Sequence, residues 1–217
     1  MIDTVIFDLD GTLVNTLGDI AASCNHIMET KGFPTHTLEA YRYYVGNGIS
    51  KLIERALPEA YRNPDFIHKA RKEFIAYYSE HLTDLSLPYE GIEEVLSELN
   101  RKGIMLGVAS NKYHEGTCRI VSHYFPSVPF KAVFGQRDRI PAKPDPEIVR
   151  EILSVTGSRA EECLYIGDSD VDMLTARRAG VLPIGASWGF RTAQELSDAG
   201  AFAVIDSPRE IIRFLPG

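Results

Sequence analysis

Asp8 and Asp10 stand two residues apart at the end of a short apolar run, Thr4 to Leu9, with Gly11 and Thr12 directly behind them. Side chains at i and i+2 of a strand point the same way, so this spacing predicts two carboxylates side by side at a strand end. Three later segments also follow or flank apolar runs: Ser110-Asn111-Lys112, Lys143-Pro144 and Gly167-Asp168-Ser169-Asp170-Val171-Asp172. Singly, each is ordinary turn or capping chemistry, since Asp-x-Asp-Gly is a common turn and Ser-Asn a common helix N-cap. Four in order, each at a predicted strand end, predict one site at the carboxyl edge of a sheet. Asp8, Asp10, Asp168 and Asp172 would repel one another there. A hard divalent cation, magnesium, is the natural remedy, because it takes carboxylate oxygens and water. Lys143, the hydroxyls of Ser110 and Thr12, and backbone N–H groups around Gly11 would supply the cation and short donors that a dianionic phosphate requires. The chemistry expected is attack on a phosphate ester.

The elements that must position these groups are legible as an alternation. Short apolar runs recur at Met105 to Ala109, Ala132 to Phe134, Cys163 to Ile166, Leu182 to Gly185 and Ala201 to Ile205. Between them, Ile92, Val95, Leu96 and Leu99 fall on one helical face before Gly103, as do Ile148, Ile152 and Val155 before Gly157. Strand alternating with helix predicts an α/β fold, a Rossmann-like parallel sheet core with helices on both faces. Residues 16–85 break the rhythm. They predict helices over Leu17 to Lys31, Ser50 to Leu57 and Asp65 to His81, with no strand. The expected organisation is a catalytic core of residues 1–15 and 86–217, with a helical cap of residues 16–85 inserted after the first strand.

A net charge of −7 without a clustered basic surface argues against a nucleic-acid partner. No apolar run is long enough to span a membrane, and the acids at Asp3, Asp8 and Asp10 are out of place in a signal peptide. Cys24, Cys118 and Cys163 have neither disulfide nor zinc spacing, so reduced thiols and a cytoplasmic setting are expected. A monomer or a homodimer would both be compatible with these features.

Together, Asp8-Leu9-Asp10-Gly11-Thr12-Leu13-Val14, Ser110-Asn111, Lys143-Pro144 and Gly167-Asp168-Ser169 with Asp172 resemble the four motifs of the haloacid dehalogenase superfamily, over essentially the whole chain. The resemblance is to its phosphatases with a helical cap. Tyr44-Val45-Gly46-Asn47-Gly48-Ile49 and Leu52 to Leu57 are similar, more loosely, to the cap of phosphoglycolate phosphatases. The resemblance implies that Asp8 is the nucleophile, forming an aspartyl-phosphate, and that Asp10 is the acid/base. It implies catalytic support from Lys143 and Ser110, and phosphate contacts from Gly11, Thr12, Ser110, Asn111 and Lys143. Magnesium would be held by Asp8, the Asp10 carbonyl and Asp168, with Asp172 orienting or supplementing them. Arg42, Asn47 and Lys51 are the cap residues expected to meet a small phosphorylated metabolite such as 2-phosphoglycolate. Sugar phosphates, pyrophosphate, a β-phosphoglucomutase-like transfer and a non-catalytic phospholigand-binding role are the alternatives. Asn15 departs from the family's usual Asp, and altered hinge contacts or substrate preference are expected there, with the basic chemistry intact.

Overall fold

Thr4, Val5, Ile6 and Phe7 form β1 (Thr4–Phe7), and every one of them is buried. A strand covered on both faces reads as a continuous apolar run, the condition of a parallel sheet between helix layers. The computed structural model describes residues 1–215. After β1 the chain runs through β2 (Val14–Asn15) into four helices, α1 (Leu17–Thr30), α2 (Leu38–Tyr44), α3 (Ile49–Ala56) and α4 (Pro64–Glu80), and returns through β3 (Leu87–Pro88). The remainder alternates: α5 (Ile92–Arg101), β4 (Met105–Tyr113), α6 (His114–Tyr124), β5 (Ala132–Gln136), α7 (Glu147–Thr156), β6 (Cys163–Gly167), α8 (Asp170–Ala179), β7 (Leu182–Ala186), α9 (Ala193–Asp198) and β8 (Ala203–Ile205). Six strands form one sheet in the order β5-β4-β1-β6-β7-β8, all neighbours parallel.

The order reverses around β1, and that is where an open α/β sheet leaves a crevice at its carboxyl edge. Phe7 pairs with both Val108 and Ile166, so the chain leaves the sheet beside Asp8, Ser110 and Asp168 at nearly one level. Alternation divides the core. Val5, Phe7, Leu106, Val108, Leu164 and Ile166 pack with Ile92, Val95, Leu96 and Leu99 of α5, whereas Ile6, Ala109 and Tyr165 pack with Ile148, Val149 and Ile152 of α7. Helices thus cover both faces, as expected.

The helical segment holds itself together by regular spacing. Ala70, Phe74 and Tyr78 recur every four residues on α4 and are all buried, and Asn63 caps that helix ahead of Pro64. Two strand crossings join the segment to the sheet, where β2 and β3 form a small antiparallel ribbon pairing Val14 with Pro88 and Asn15 with Leu87. Asp19, in the first turn of α1, is buried and accepts from Leu85 N at 2.8 Å, Ser86 N at 2.9 Å and Ser86 Oγ at 2.5 Å. A buried carboxylate with three donors ties the outgoing and returning chains to each other.

Five details differ from expectation. The ribbon and α2 are additional; α2 is capped by Thr37 and anchored by the buried Tyr41. Strand β4 continues through the polar Ser110-Asn111-Lys112 to Tyr113, which pairs with Gln136 after a register shift. β8 begins at Ala203 instead of Ala201. Val155 is 55% exposed, so the buried stripe of α7 ends at Ile152.

Because Phe7 is wholly buried against both neighbouring strands, Phe7→Ala is expected to remove about 3–5 kcal/mol of stability, read by equilibrium denaturation. A loss below about 1 kcal/mol would contradict this account of the core.

Candidate active site

Asp168 leaves the end of β6 and is fixed by two neutral donors, Thr12 Oγ1 to its Oδ1 at 3.1 Å and Phe190 N to its Oδ2 at 2.8 Å. Gly11 makes room for it. Its φ is +89°, and a Cβ there would collide with the Asp168 carboxylate, so residue 11 is held to glycine by conformation and by space. Asp172 closes a capping box on α8: Ser169 N and Oγ donate to its Oδ2 at 3.1 and 2.5 Å. Its other oxygen accepts from Lys143 Nζ at 2.7 Å and from Tyr165 OH at 3.1 Å.

Lys143 is buried, and its three N–H groups are all committed, to Asp172 Oδ1, to Ala109 O at 2.9 Å and to Tyr165 OH at 3.0 Å. Asp8 Oδ1 lies 2.9 Å from the same ammonium, close enough for ion pairing, yet this buried oxygen has no hydrogen-bond donor. Two buried carboxylates, Asp8 and Asp172, therefore share one ammonium with Asp168 buried close by, and the protonation preferences follow. Burial, then Asp172, hold the Asp8 carboxyl well above the usual range against the pull of Lys143. Burial and Asp172 likewise push Asp168 up to about 7, opposed by the Phe190 N–H and the Thr12 hydroxyl. Burial works against the charge on Lys143, but Asp172 and Asp8 overcome it and raise its pKa well above the ordinary lysine value.

Oxygens of Asp8, Asp168 and Asp172 lie within 4.8 Å of one another. An orphaned carboxylate oxygen, an all-oxygen donor set and a deficit of positive charge fit a hard divalent cation. Asp172, wholly buried and engaged by Lys143, Ser169 and Tyr165, is the most fully committed of the three.

Towards the mouth, Asp10 has one oxygen clamped and one without a protein donor. Its Oδ1 accepts from Thr16 Oγ1 at 2.7 Å and Lys112 Nζ at 3.0 Å. Lys112 is itself buried and also donates to the hydroxyl of Tyr78 at 2.6 Å. Ser110 Oγ accepts from Lys112 N at 3.2 Å and keeps its own hydrogen to give. Asn111 donates to Lys143 O at 3.0 Å and Gly46 O at 2.9 Å, and accepts from Lys143 N at 2.8 Å. Its amide thus fastens the Lys143 loop and the Gly46 turn. The cleft has Asp8, Asp10, Ser110, Asn111 and Lys112 on the sheet side, and Ile20, Val45, Ile49, Leu52, Phe74 and Tyr78 on the helical side.

Of Arg42, Asn47 and Lys51, singled out in the sequence, none lines this cleft. Arg42 donates to Gly189 O at 3.2 Å and Phe190 O at 3.3 Å, fastening the loop whose N–H holds Asp168. Arg191 answers by donating to Arg42 O and Val45 O. Asn47 accepts from Arg55, and Lys51 pairs with Glu54 on the surface. Thr12 spends its hydroxyl hydrogen on Asp168 instead of on a ligand. Two cleft residues with polar side-chain groups went unassigned, Lys112 and Tyr78. Lys112 could have been found, since it is two residues past Ser110 on the same strand; Tyr78 reads only as a core aromatic.

Residues 5–186 match the profile of the family described as haloacid dehalogenase-like hydrolase. The chain belongs to the haloacid dehalogenase-like hydrolases. Its expected standing as an enzyme of the phosphatase class holds with that membership. Among relatives of this hydrolase, phosphoglycolate phosphatase of Cereibacter sphaeroides is 33% identical over 215 residues, covering 97% of this chain and 98% of its own. Phosphoglycolate phosphatase of Vibrio parahaemolyticus is 30% identical over 216 residues, with 97% and 95% covered. The crystal structure of a Lactobacillus delbrueckii subsp. bulgaricus protein superposes with a TM-score of 0.92 at 28% identity, over 99% of each chain. CbbY from Rhodobacter sphaeroides, crystallised in complex with phosphate, superposes at 0.77 and 25% identity over 97% of this chain and 96% of its own. Among the described residues, no helix is long and apolar enough to cross a membrane.

The raised Asp168 sets a pH dependence for the metal-free hydrolase. The folded state keeps that proton up to about pH 7, while an unfolded Asp releases it near about pH 4. Stability is then fully present below about pH 4 and is lost as pH rises towards about 7. The melting temperature without metal is expected to fall between about pH 5 and about pH 7.5, and Asp168→Asn to flatten the slope. A melting temperature that climbs across that interval would contradict the charge cluster.

Proposed function

We propose that this hydrolase cleaves phosphate monoesters of small metabolites, 2-phosphoglycolate foremost, with Asp8 as nucleophile, Asp10 as acid/base and magnesium as cofactor. The observation that carries the reading is the undonated Oδ1 of Asp8, buried beside the Lys143 ammonium and sharing a cleft with Asp10. With Oδ1 held beside the ammonium, the carboxylate of Asp8 lines the cleft next to Asp10, where its other oxygen can form a bond to phosphorus.

In the first step an oxygen of Asp8 bonds to phosphorus and the bond to the ester oxygen breaks. Asp10, held through Oδ1 by Thr16 and Lys112, gives a proton from its other oxygen to the departing alkoxide. In the second step Asp10 takes a proton from water, whose oxygen attacks the aspartyl-phosphate, releasing phosphate and restoring Asp8. Ser110 donates its hydroxyl to a phosphate oxygen, and Lys143 keeps its charge beside the nucleophile throughout. Asp8, Asp168 and the Asp10 carbonyl would hold magnesium, with Asp172 orienting Lys143. Bound there, the ion would supply the positive charge that three acids and one ammonium lack.

Residues 16–85 are assigned as a cap that supplies the apolar side of the cleft, with residues 1–15 and 86–217 as the core. The names of the curated relatives support phosphoglycolate over other esters. Free thiols at Cys24, Cys118 and Cys163 suit a cytoplasmic enzyme.

A panel of 2-phosphoglycolate, sugar phosphates and pyrophosphate, assayed with magnesium and with excess chelator, tests the reading. Phosphoglycolate is expected to give the highest kcat/KM, chelation to abolish it, and Asp8→Asn to lower kcat by at least about 10³-fold on every ester. Turnover surviving either chelation or Asp8→Asn would refute the mechanism.

A further inference from the structure

We propose that Lys112 and Tyr78 form a carboxylate seat on the leaving-group side of the cleft, selecting esters whose alcohol carries an anionic group one carbon from the ester oxygen. This rests on the phosphatase reading above and adds the residues that choose the substrate. The leaving oxygen must come within reach of Asp10, and Lys112 Nζ is 3.0 Å from Asp10 Oδ1, so a group attached close to that oxygen meets this ammonium. Lys112 is the sole cationic side chain among the described residues lining the cleft.

The donors there are in excess. Two of the three Lys112 N–H groups are engaged, by Asp10 and by Tyr78. Tyr78 accepts from Lys112, and its own hydroxyl hydrogen has no acceptor among the described residues. One N–H and one O–H are left over, in a cleft whose helical side otherwise presents the apolar side chains of Ile20, Val45, Ile49, Leu52 and Phe74 beside Gly46 and Gly48. Donors in such surroundings gain most from a charged acceptor, and a carboxylate offers two oxygens for the two hydrogens. Those aliphatic and aromatic walls offer nothing to the several hydroxyls of a sugar. Neither Arg42 nor Lys51 competes for the role, since one is spent on Gly189 and Phe190 and the other on Glu54.

The alternative is that Lys112 only positions Asp10, and 2-phosphoglycolate against ethyl phosphate separates the two. These esters differ in a carboxylate replacing a methyl. With wild-type enzyme and magnesium, kcat/KM is expected to favour phosphoglycolate. Lys112→Met should lower the ratio of the two kcat/KM values by about 10- to 100-fold, and Tyr78→Phe by about 3- to 10-fold, mainly through the KM for phosphoglycolate. Melting curves check that each variant folds, and Tyr78→Phe, which removes one oxygen, carries the test if Lys112→Met does not fold. Both activities falling together at an unchanged ratio would overturn the seat and leave the phosphatase reading standing. Wild-type enzyme inactive on both esters would overturn both.

Discussion

One buried ammonium organises this molecule. Lys143 sits where α7's loop, β4, β6 and α8 meet, and each of its three hydrogens goes to a different element: Asp172 of α8, Ala109 of β4 and Tyr165 of β6. Burying a charge is tolerated only with full pairing and hydrogen bonding, and removal of one partner is far worse than never having had the pair. The arrangement is therefore rigid by necessity. That rigidity leaves Asp8 with charge stabilisation from Lys143 but without a hydrogen bond, a combination suited to a nucleophile.

Other features serve that constraint. Asn111 secures the backbone of residue 143 on both sides of its Cα, through the N–H of one peptide unit and the carbonyl of the next. Asp172 is held by the capping box that also starts α8, so one carboxylate serves helix initiation and charge placement. The walls of the cleft are fastened back onto this centre, through Asn111 to Gly46 and through Arg42 to the loop that holds Asp168.

The core and the gathering of Asp8, Ser110 and Asp168 at one sheet edge were legible because they are written in local signals: apolar runs ending in these residues, and helical stripes such as Ile92 to Leu99. The helical side was not. Arg42, Asn47 and Lys51 were singled out for charge and polarity, but charge alone does not say whether a side chain faces a cleft or a backbone carbonyl. Arg42 finds carbonyls of a loop nearly 150 residues away along the chain, a pairing with no local trace. Tyr78 falls in phase with Ala70 and Phe74 and reads as packing. Val155 fits the helical stripe of α7 by spacing, yet it is exposed where Ile148 and Ile152 are buried. Asn15 lies in the β2–β3 ribbon, with its Oδ1 3.4 Å from Leu17 N, a placement that became visible only once β3 returned to pair with it.

The ribbon and Asp19 pin the exit and re-entry of the helical segment against each other. A detour whose ends coincide can change length or sequence without moving what it is attached to. Each doubling of such an inserted chain adds only about 0.6 kcal/mol of closure entropy. Val45, Ile49, Leu52 and Phe74 shape the cleft wall and the packing of the helices, yet none of them touches the hydrogens of Lys143. The chain's exit and return are closed by a ribbon only two residue pairs wide, while the hydrogens that hold Lys143 all end in the sheet domain.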